Sequence, residues 1–407
     1  MYNFLTSDVS DNILIYHFQH HGSRKLPDLA QLNNNPTLQK ACFMIMHDQE
    51  PLMPSFYNYQ YLKEHAQDWY QKNFGNRTSA VLDFPEWQEK VYNSNLAFVR
   101  FGLTDYDRNI LVHSELRSQE LEFYQNLGFE TVYWWSHAMI SLDWYRYAQF
   151  DPLLSLPRNP KFAFNIYSRA WHYPREYRLK LLDLVVESNL QSHCQIKFNT
   201  HDQGMHYTQY QYHNHTMQAH NCLDCFTDVA SGSAASASYS ARDYQDSWFD
   251  VVLETLFDDS RLHLTEKTLR PIACGVPFLL CGTQGSLEYL RSYGFRTFSD
   301  IIDESYDDIA DPQQRLEAIA HVMKDICQRN LMHNQHSIEL VKEICEYNQR
   351  RFFSPEFAEL IINEFQCNFD QARQQCNDNC TGHNRSQLLA LLNQRSMAPS
   401  QSGDNSC

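Results

Sequence analysis

The chain of 407 residues is 43% hydrophobic and 14% aromatic, which is enough apolar material for packed cores and excludes wholesale disorder. Its length exceeds one ordinary core and suits two α/β domains. With 33 basic and 49 acidic residues the net charge is −16, which argues against general binding to nucleic acids or anionic membranes, since each needs a basic face. No apolar run approaches the ~20 residues that span a bilayer, and the polar, acidic start MYNFLTSDVSDN has no secretory pattern. A cytoplasmic location without a membrane span is therefore expected. The twelve cysteines should then be reduced, with Cys42, Cys274 and Cys281 as small core residues.

In chain order, strand-length apolar runs occupy residues 12–18 (NILIYHF), 41–46 (ACFMIM), 109–113 (NILVH) and 131–135 (TVYWW). Between the last two, residues 114–127 carry Glu115, Ser118, Gln119 and Glu122 at helical spacing, with Gly128 at the helix end. Strand, helix, strand in this order predicts a parallel sheet. Residues 150–160 hold three prolines in eleven positions and read as an interdomain linker. A second unit opens with a strand at 162–167 (FAFNIY). A helix at 175–188 follows, whose Arg175, Glu176, Arg178 and Lys180 form a polar face, and then a strand at 195–198. The low-complexity run 231–240 reads as a mobile surface loop. Strands are expected at 248–253 and 277–281, and helices at about 313–347 and 355–375. The boundaries implied are 1–155, 156–370 and a polar, flexible tail at 371–407.

The segment 248–298 carries the clearest chemical signal. A buried strand and an acidic loop lead to Thr265-Glu266-Lys267, an apolar helix ending at Gly275, and a second strand followed by Gly282 and Gly285. Thr265 is a good helix cap and Glu266 favours the first turn, whereas Pro271 removes one interior hydrogen bond. At the carboxyl edge of a parallel sheet, the helix dipole and Lys267 would attract a diphosphate, and Glu266 would accept from ribose hydroxyls. An isolated T-E-K is a common solvated helix start. Its placement between two strands shifts the reading towards function.

This arrangement resembles the donor-binding segment of the α-1,3-fucosyltransferases and related inverting GT-B glycosyltransferases, in which I-T-E-K precedes a helix and a second strand. The run through residues 294–298 and 303–307 also resembles uncharacterised fucosyltransferase-like proteins of phages and bacteria. The resemblance covers about fifty residues and implies an α/β, GT-B-like fold, two Rossmann-like domains facing across a cleft. It implies donor ribose at Glu266, donor phosphates at Lys267, and a donor-facing Glu254, although L-E-T stands here for the family's F-E-N. It implies an arginine after the first donor-domain strand, for which Arg169 is the candidate, with Arg175 and Arg178 equally readable as solvated. It also implies a general base where strand 41–46 runs into His47-Asp48-Gln49-Glu50-Pro51, so that Glu50 would take the acceptor proton. His137, after the strand at 131–135, is an alternative base or acceptor-binding group.

Metal readings compete with these. His213, His215, His220, Cys222 and Cys225 include one C-x-x-C pair and would suit zinc, but no second pair follows at that spacing. Asp105-Tyr106-Asp107 matches the D-x-D of metal-dependent transferases but precedes a strand and reads as a turn. P-loop, G-x-G-x-x-G, G-x-S-x-G and H-E-x-x-H patterns are absent. The sequence therefore predicts an inverting, metal-independent glycosyltransferase without a resident cofactor. Its co-substrate would be a nucleotide-diphosphate sugar, with GDP favoured by the resemblance, and its acceptor a glycan or other hydroxyl. The alternative is a non-catalytic nucleotide- or glycan-binding protein on the same fold.

Overall fold

The computed structural model describes residues 13–17, 42–47, 49, 51–52, 108–126, 128–172, 174–202, 204–213, 236–257 and 260–378. The chain is an α/β protein whose described strands form two four-stranded parallel sheets and one two-stranded antiparallel hairpin. It divides into two compact units, Met1–Trp134 with Asn363–Cys407, and Trp135–Ile362.

In the first unit, β1 (Ile13–His17), β2 (Cys42–His47), β3 (Arg108–His113) and β4 (Phe129–Tyr133) lie side by side in that order, all parallel. The register aligns Tyr16 with Ile45, Ile45 with Leu111, and Leu111 with Thr131. Met44, Ile45 and Met46 on β2 and Ile110, Leu111 and Val112 on β3 are fully buried, as expected of parallel strands covered on both faces. Helix α1 (Glu120–Asn126) is shorter than the sequence suggests. Arg117 adopts a left-handed conformation with φ 57°, and Ser118 takes the cap position, where its hydroxyl accepts from the Glu120 N–H and donates to buried Glu115. Residues 114–119 are consequently a cap and approach loop. Gly128, with φ 84°, reverses the chain into β4. Trp134 packs against Phe365 of helix α9 (Pro355–Asp378), and the Asn368 amide donates to the Tyr133 carbonyl.

In the second unit, helix α2 (Ser136–Trp144) precedes β5 (Phe162–Ser168), helix α3 (Tyr177–Glu187) and β6 (Cys194–Phe198). A short antiparallel hairpin follows, β7 (His201–Asp202) with β8 (Met205–His206), turned by Gly204. Helix α4 (Ala241–Asp246), β9 (Ser247–Leu253), helix α5 (Glu266–Ala273), β10 (Phe278–Cys281) and helix α6 (Ser286–Ser292) then complete the αβ succession. The sheet order is β10-β9-β5-β6. From β5 the chain moves to β6 on one side, and later to β9 and β10 on the other. The strand order thus reverses between β5 and β9, which is where open parallel sheets bind ligands beyond their carboxyl ends.

The stretch 150–160 lies inside this unit, where the Arg158 guanidinium donates to the Tyr244 and Trp248 carbonyls at 3.2 and 2.5 Å, and also to that of Ser247. Of the expected loop 231–240, residues 236–240 are described: the Ser236 carbonyl accepts from the Tyr145 hydroxyl, and Ser240 caps α4. The expected helix at 313–347 is two helices, α7 (Pro312–Gln328) and α8 (Gln335–Phe352). Left-handed Asn330, φ 51°, ends the first, while Asp311 and Asn334 cap the two N-termini. No described helix is long and apolar enough to cross a membrane.

Candidate functional site

At the strand-order reversal, β9 ends and delivers Glu254, a fully buried carboxylate. Its oxygens accept from the Thr265 N–H at 3.0 Å, the Thr265 hydroxyl at 2.6 Å, the Thr268 hydroxyl at 2.5 Å and the Thr255 N–H at 3.2 Å. A strand end thereby fixes the first turn of α5. Thr265 is extended and its hydroxyl accepts from the Lys267 N–H at 3.4 Å, as a cap residue does. The Lys267 ammonium group donates to Thr255 Oγ1, Thr265 Oγ1 and Glu266 Oε1 at 3.4, 3.2 and 3.0 Å. Its side chain is 26% exposed, whereas that of Glu266 is 6% exposed. Of the two side chains, that of Lys267 is the more exposed, and its ammonium group rests on threonine hydroxyls and Glu266.

The far side of Glu266 meets His137 from α2, with Nδ1 3.3 Å from Oε2. The His263 ring packs edge-on against His137 at 5.1 Å. Burial alone would lower the His137 pKa, but the Glu266 carboxylate outweighs it and raises the imidazole above its ordinary value. Burial likewise works to raise Glu266, yet Lys267 and His137 together hold it well below the usual carboxylate range. The Trp135 indole, at the cap of α2, donates to the Leu264 carbonyl at 2.8 Å, pinning this helix beside the residue that precedes Thr265.

One turn further along α5, Arg270 is bound to a buried polar group on the sheet. Its Nε donates to the Tyr244 hydroxyl at 2.9 Å, and its Nη2 lies 3.6 Å from Asp250. Asp250 also accepts from Asn165 at 2.7 Å and Tyr244 at 3.0 Å, although burial keeps its pKa raised. This anchor was not anticipated. The signal for it was an aspartate at the centre of the apolar run WFDVVL.

Across the reversal, Arg169 follows β5 directly and is half-buried, with its carbonyl accepting from Asn199 at 3.0 Å. Asp202, on the β7–β8 hairpin, accepts from the Trp171 and His172 N–H groups at 2.7 and 2.8 Å and fixes this loop. The expected polar face of α3 is buried: Glu176, Arg178 and Lys180 are 0%, 3% and 4% exposed. Arg178 donates to the carbonyls of Ala170 at 2.6 Å and of Leu253 and Glu254 at 2.8 Å each. It therefore ties the carboxyl ends of β5 and β9 together. The equally weighted reading of Arg178 as a solvated residue does not hold, because the strand-end carbonyls at a reversal need donors.

Beyond β10, Gly282 leaves room for Ser286, whose Oγ would sit 2.6 Å from any added Cβ. The acidic run after residue 303 has a structural job. Asp307 accepts from the Leu287 and Glu288 N–H groups at the start of α6, and Glu304 accepts from Thr297 and the Phe298 N–H.

Thus Glu254, Thr265, Glu266, Lys267 and His137 come together, with Arg169 on the adjoining strand end. Glu50 lies outside the described residues, as do Asp105 and Asp107. In the first unit, buried His47 and His113 are register partners at the carboxyl ends of β2 and β3, and Glu115 accepts from the Leu52 N–H. Burial lowers the His113 pKa to about 4. Of the histidine–cysteine cluster, His213 is described and contacts Glu176 at 3.5 Å, whereas His215, His220, Cys222 and Cys225 lie outside. Among the described residues no group of three or more potential ligands is placed to hold a metal ion.

The fold is that of an α/β protein with parallel sheets, compatible with a Rossmann-like arrangement. No protein-family model, curated protein or solved structure matches the chain.

Proposed function

We propose that the second unit binds the diphosphate of a nucleotide sugar at Lys267 and that the protein is a glycosyltransferase of GT-B-like architecture, passing the sugar to a hydroxyl acceptor. The observation that carries this reading is the partly exposed Lys267 side chain, held at the N-terminus of α5 beside the strand-order reversal. Arg169, one strand away, supplies a second cation, so that charge developing on the leaving phosphate would be met without a metal ion. The deep burial of Glu266, with Lys267 on one oxygen and His137 on the other, favours a role in aligning these two groups as well as the ribose contact implied by resemblance. His137, paired with a carboxylate and raised in pKa, is better suited to carry a proton than to remove one from an acceptor. Glu50, the base implied by the resemblance, stays the proposed one.

The test is a thermal-shift and calorimetric screen against GDP, UDP, CDP and ADP, with and without EDTA, beside Lys267→Ala. Stabilisation by one diphosphate, insensitive to EDTA and lost in the variant, supports the donor site. No response to any of them removes it and favours a protein without a nucleotide site. Binding without sugar transfer to any glycan acceptor would favour the non-catalytic alternative.

A further inference from the structure

His137 reaches the candidate site from a helix distant in sequence and touches the residue that aligns Lys267. The groups facing it are Glu266 and Lys267 at the start of α5, Glu254 at the end of β9, and His263 in the loop before α5. Two of these are carboxylates whose charge favours an imidazolium, and one is an ammonium group that opposes it. Lys267 and His137 share Glu266, one on each carboxylate oxygen.

We propose that His137 is a positioning residue whose protonation is coupled to occupancy of the Lys267 site, so that an anion on Lys267 is bound together with a proton on the imidazole. This rests on the donor-site reading above and adds to it a chemical linkage. The argument is electrostatic. An anion on Lys267 offsets the one positive charge that disfavours a second cation at His137. It also draws the ammonium group away from Glu266, which leaves that carboxylate to the imidazole. Both changes favour the protonated ring, and by reciprocity a protonated ring favours the anion. The site is nearly closed to water at this point, with the His137 and Glu266 side chains 7% and 6% exposed, so the coupling is weakly screened. No bond is made or broken beyond the proton that solvent supplies.

The experiment is titration calorimetry of the full chain with GDP and with inorganic pyrophosphate, from about pH 6 to about pH 9, in buffers of different ionisation enthalpy. The slope of observed heat against buffer enthalpy counts protons taken up. The terminal phosphate of each probe titrates equally with wild type and variant, so the difference between the two proteins isolates His137. Wild type should take up a fraction of a proton more than His137→Asn above neutrality, with the difference vanishing at the acid end. Asparagine can donate from the position of Nδ1, so this variant should bind with an affinity that no longer depends on His137 protonation. His137→Leu, which loses the donor, should bind about tenfold more weakly.

Equal proton uptake by wild type and His137→Asn at every pH would overturn the linkage while leaving the anion site in place. Absence of binding by either probe would overturn the site and the linkage together. A variant that fails to fold is replaced by the imidazole titration of wild type followed by NMR, with and without pyrophosphate. A His137 titration that moves to higher pH with pyrophosphate supports the proposal, and an unmoved one ends it.

Discussion

The carboxylate of Glu254 and the backbone N–H of Thr265 are hydrogen-bonded at 3.0 Å, and the same carboxylate takes the Thr265 hydroxyl at 2.6 Å. A residue at the end of one strand thus sets the start of the helix that carries Lys267. The loop between them is held at both ends, and the ammonium group inherits its place from this bond.

Replacing Glu254 with Gln leaves buried donors of Thr265, Thr268 and Thr255 facing an amide that also donates. The expected loss of stability is about 1–3 kcal/mol, read from urea denaturation. Diphosphate-induced stabilisation should fall with it, because Lys267 loses its scaffold. A variant with native stability and native binding would show that Glu254 is not the organising group.

Lys267→Ala should separate binding from folding. The substitution also removes the cation beside nearly buried Glu266, so a stability loss of about 1–3 kcal/mol is expected from denaturation and is scored apart from the binding loss. Loss of charge-assisted hydrogen bonds to a diphosphate, about 1.5–3 kcal/mol, predicts binding weaker by about 10- to 100-fold in calorimetry. An affinity unchanged by the substitution would remove Lys267 from the site.

The stability of the second unit should depend on pH through one pair. The Glu266 pKa is depressed in the folded protein, so its contribution is complete above the ordinary value of 4.5 and is lost as the pH falls through the depressed one. The His137 pKa is raised, so its contribution is complete below 6.5 and is lost as the pH rises through the raised value. Glu266→Gln should flatten both limbs of stability against pH in denaturation curves. A profile with the same shape as wild type would show that the pair is not linked to folding.

Arg178→Lys is not conservative here. A single ammonium group cannot reproduce the planar fork that reaches Ala170, Leu253 and Glu254 at once. The expected cost is about 2–3 kcal/mol in chemical denaturation. A loss confined to a few tenths of that would restore the solvated reading of this helix face.

Most strands of both sheets are legible as short apolar runs, and β9 and β10 frame T-E-K as the spacing requires, whereas β4 begins two residues before the expected 131–135, on the mixed run FETVY. The capping role of Thr265 was legible for the same local reason. What escaped was long-range. The sequence leaves Arg178 equally readable as solvated because its partners are backbone carbonyls at or just beyond the ends of β5 and β9, which no side-chain pattern announces. The His137–Glu266 pair and the neighbouring Trp135–Leu264 hydrogen bond each join residues 129 positions apart, and no periodicity reports such contacts. The single helix expected over 313–347 became two because asparagine, unlike proline, breaks a helix without an unmistakable signal.

Helix α5 has eight residues with Pro271 inside, and a proline in a helix interior costs about 3 kcal/mol relative to alanine. So short a segment would not nucleate by itself. Its shape is lent by neighbours: Glu254 at one end, Tyr244 and Asp250 holding Arg270 in the middle, and Gln349 on the Ala273 carbonyl at the other. The T-E-K signature is accordingly not portable. A synthetic peptide spanning it should be a coil by circular dichroism, and grafting those three letters onto a foreign scaffold would transfer the spelling without the geometry.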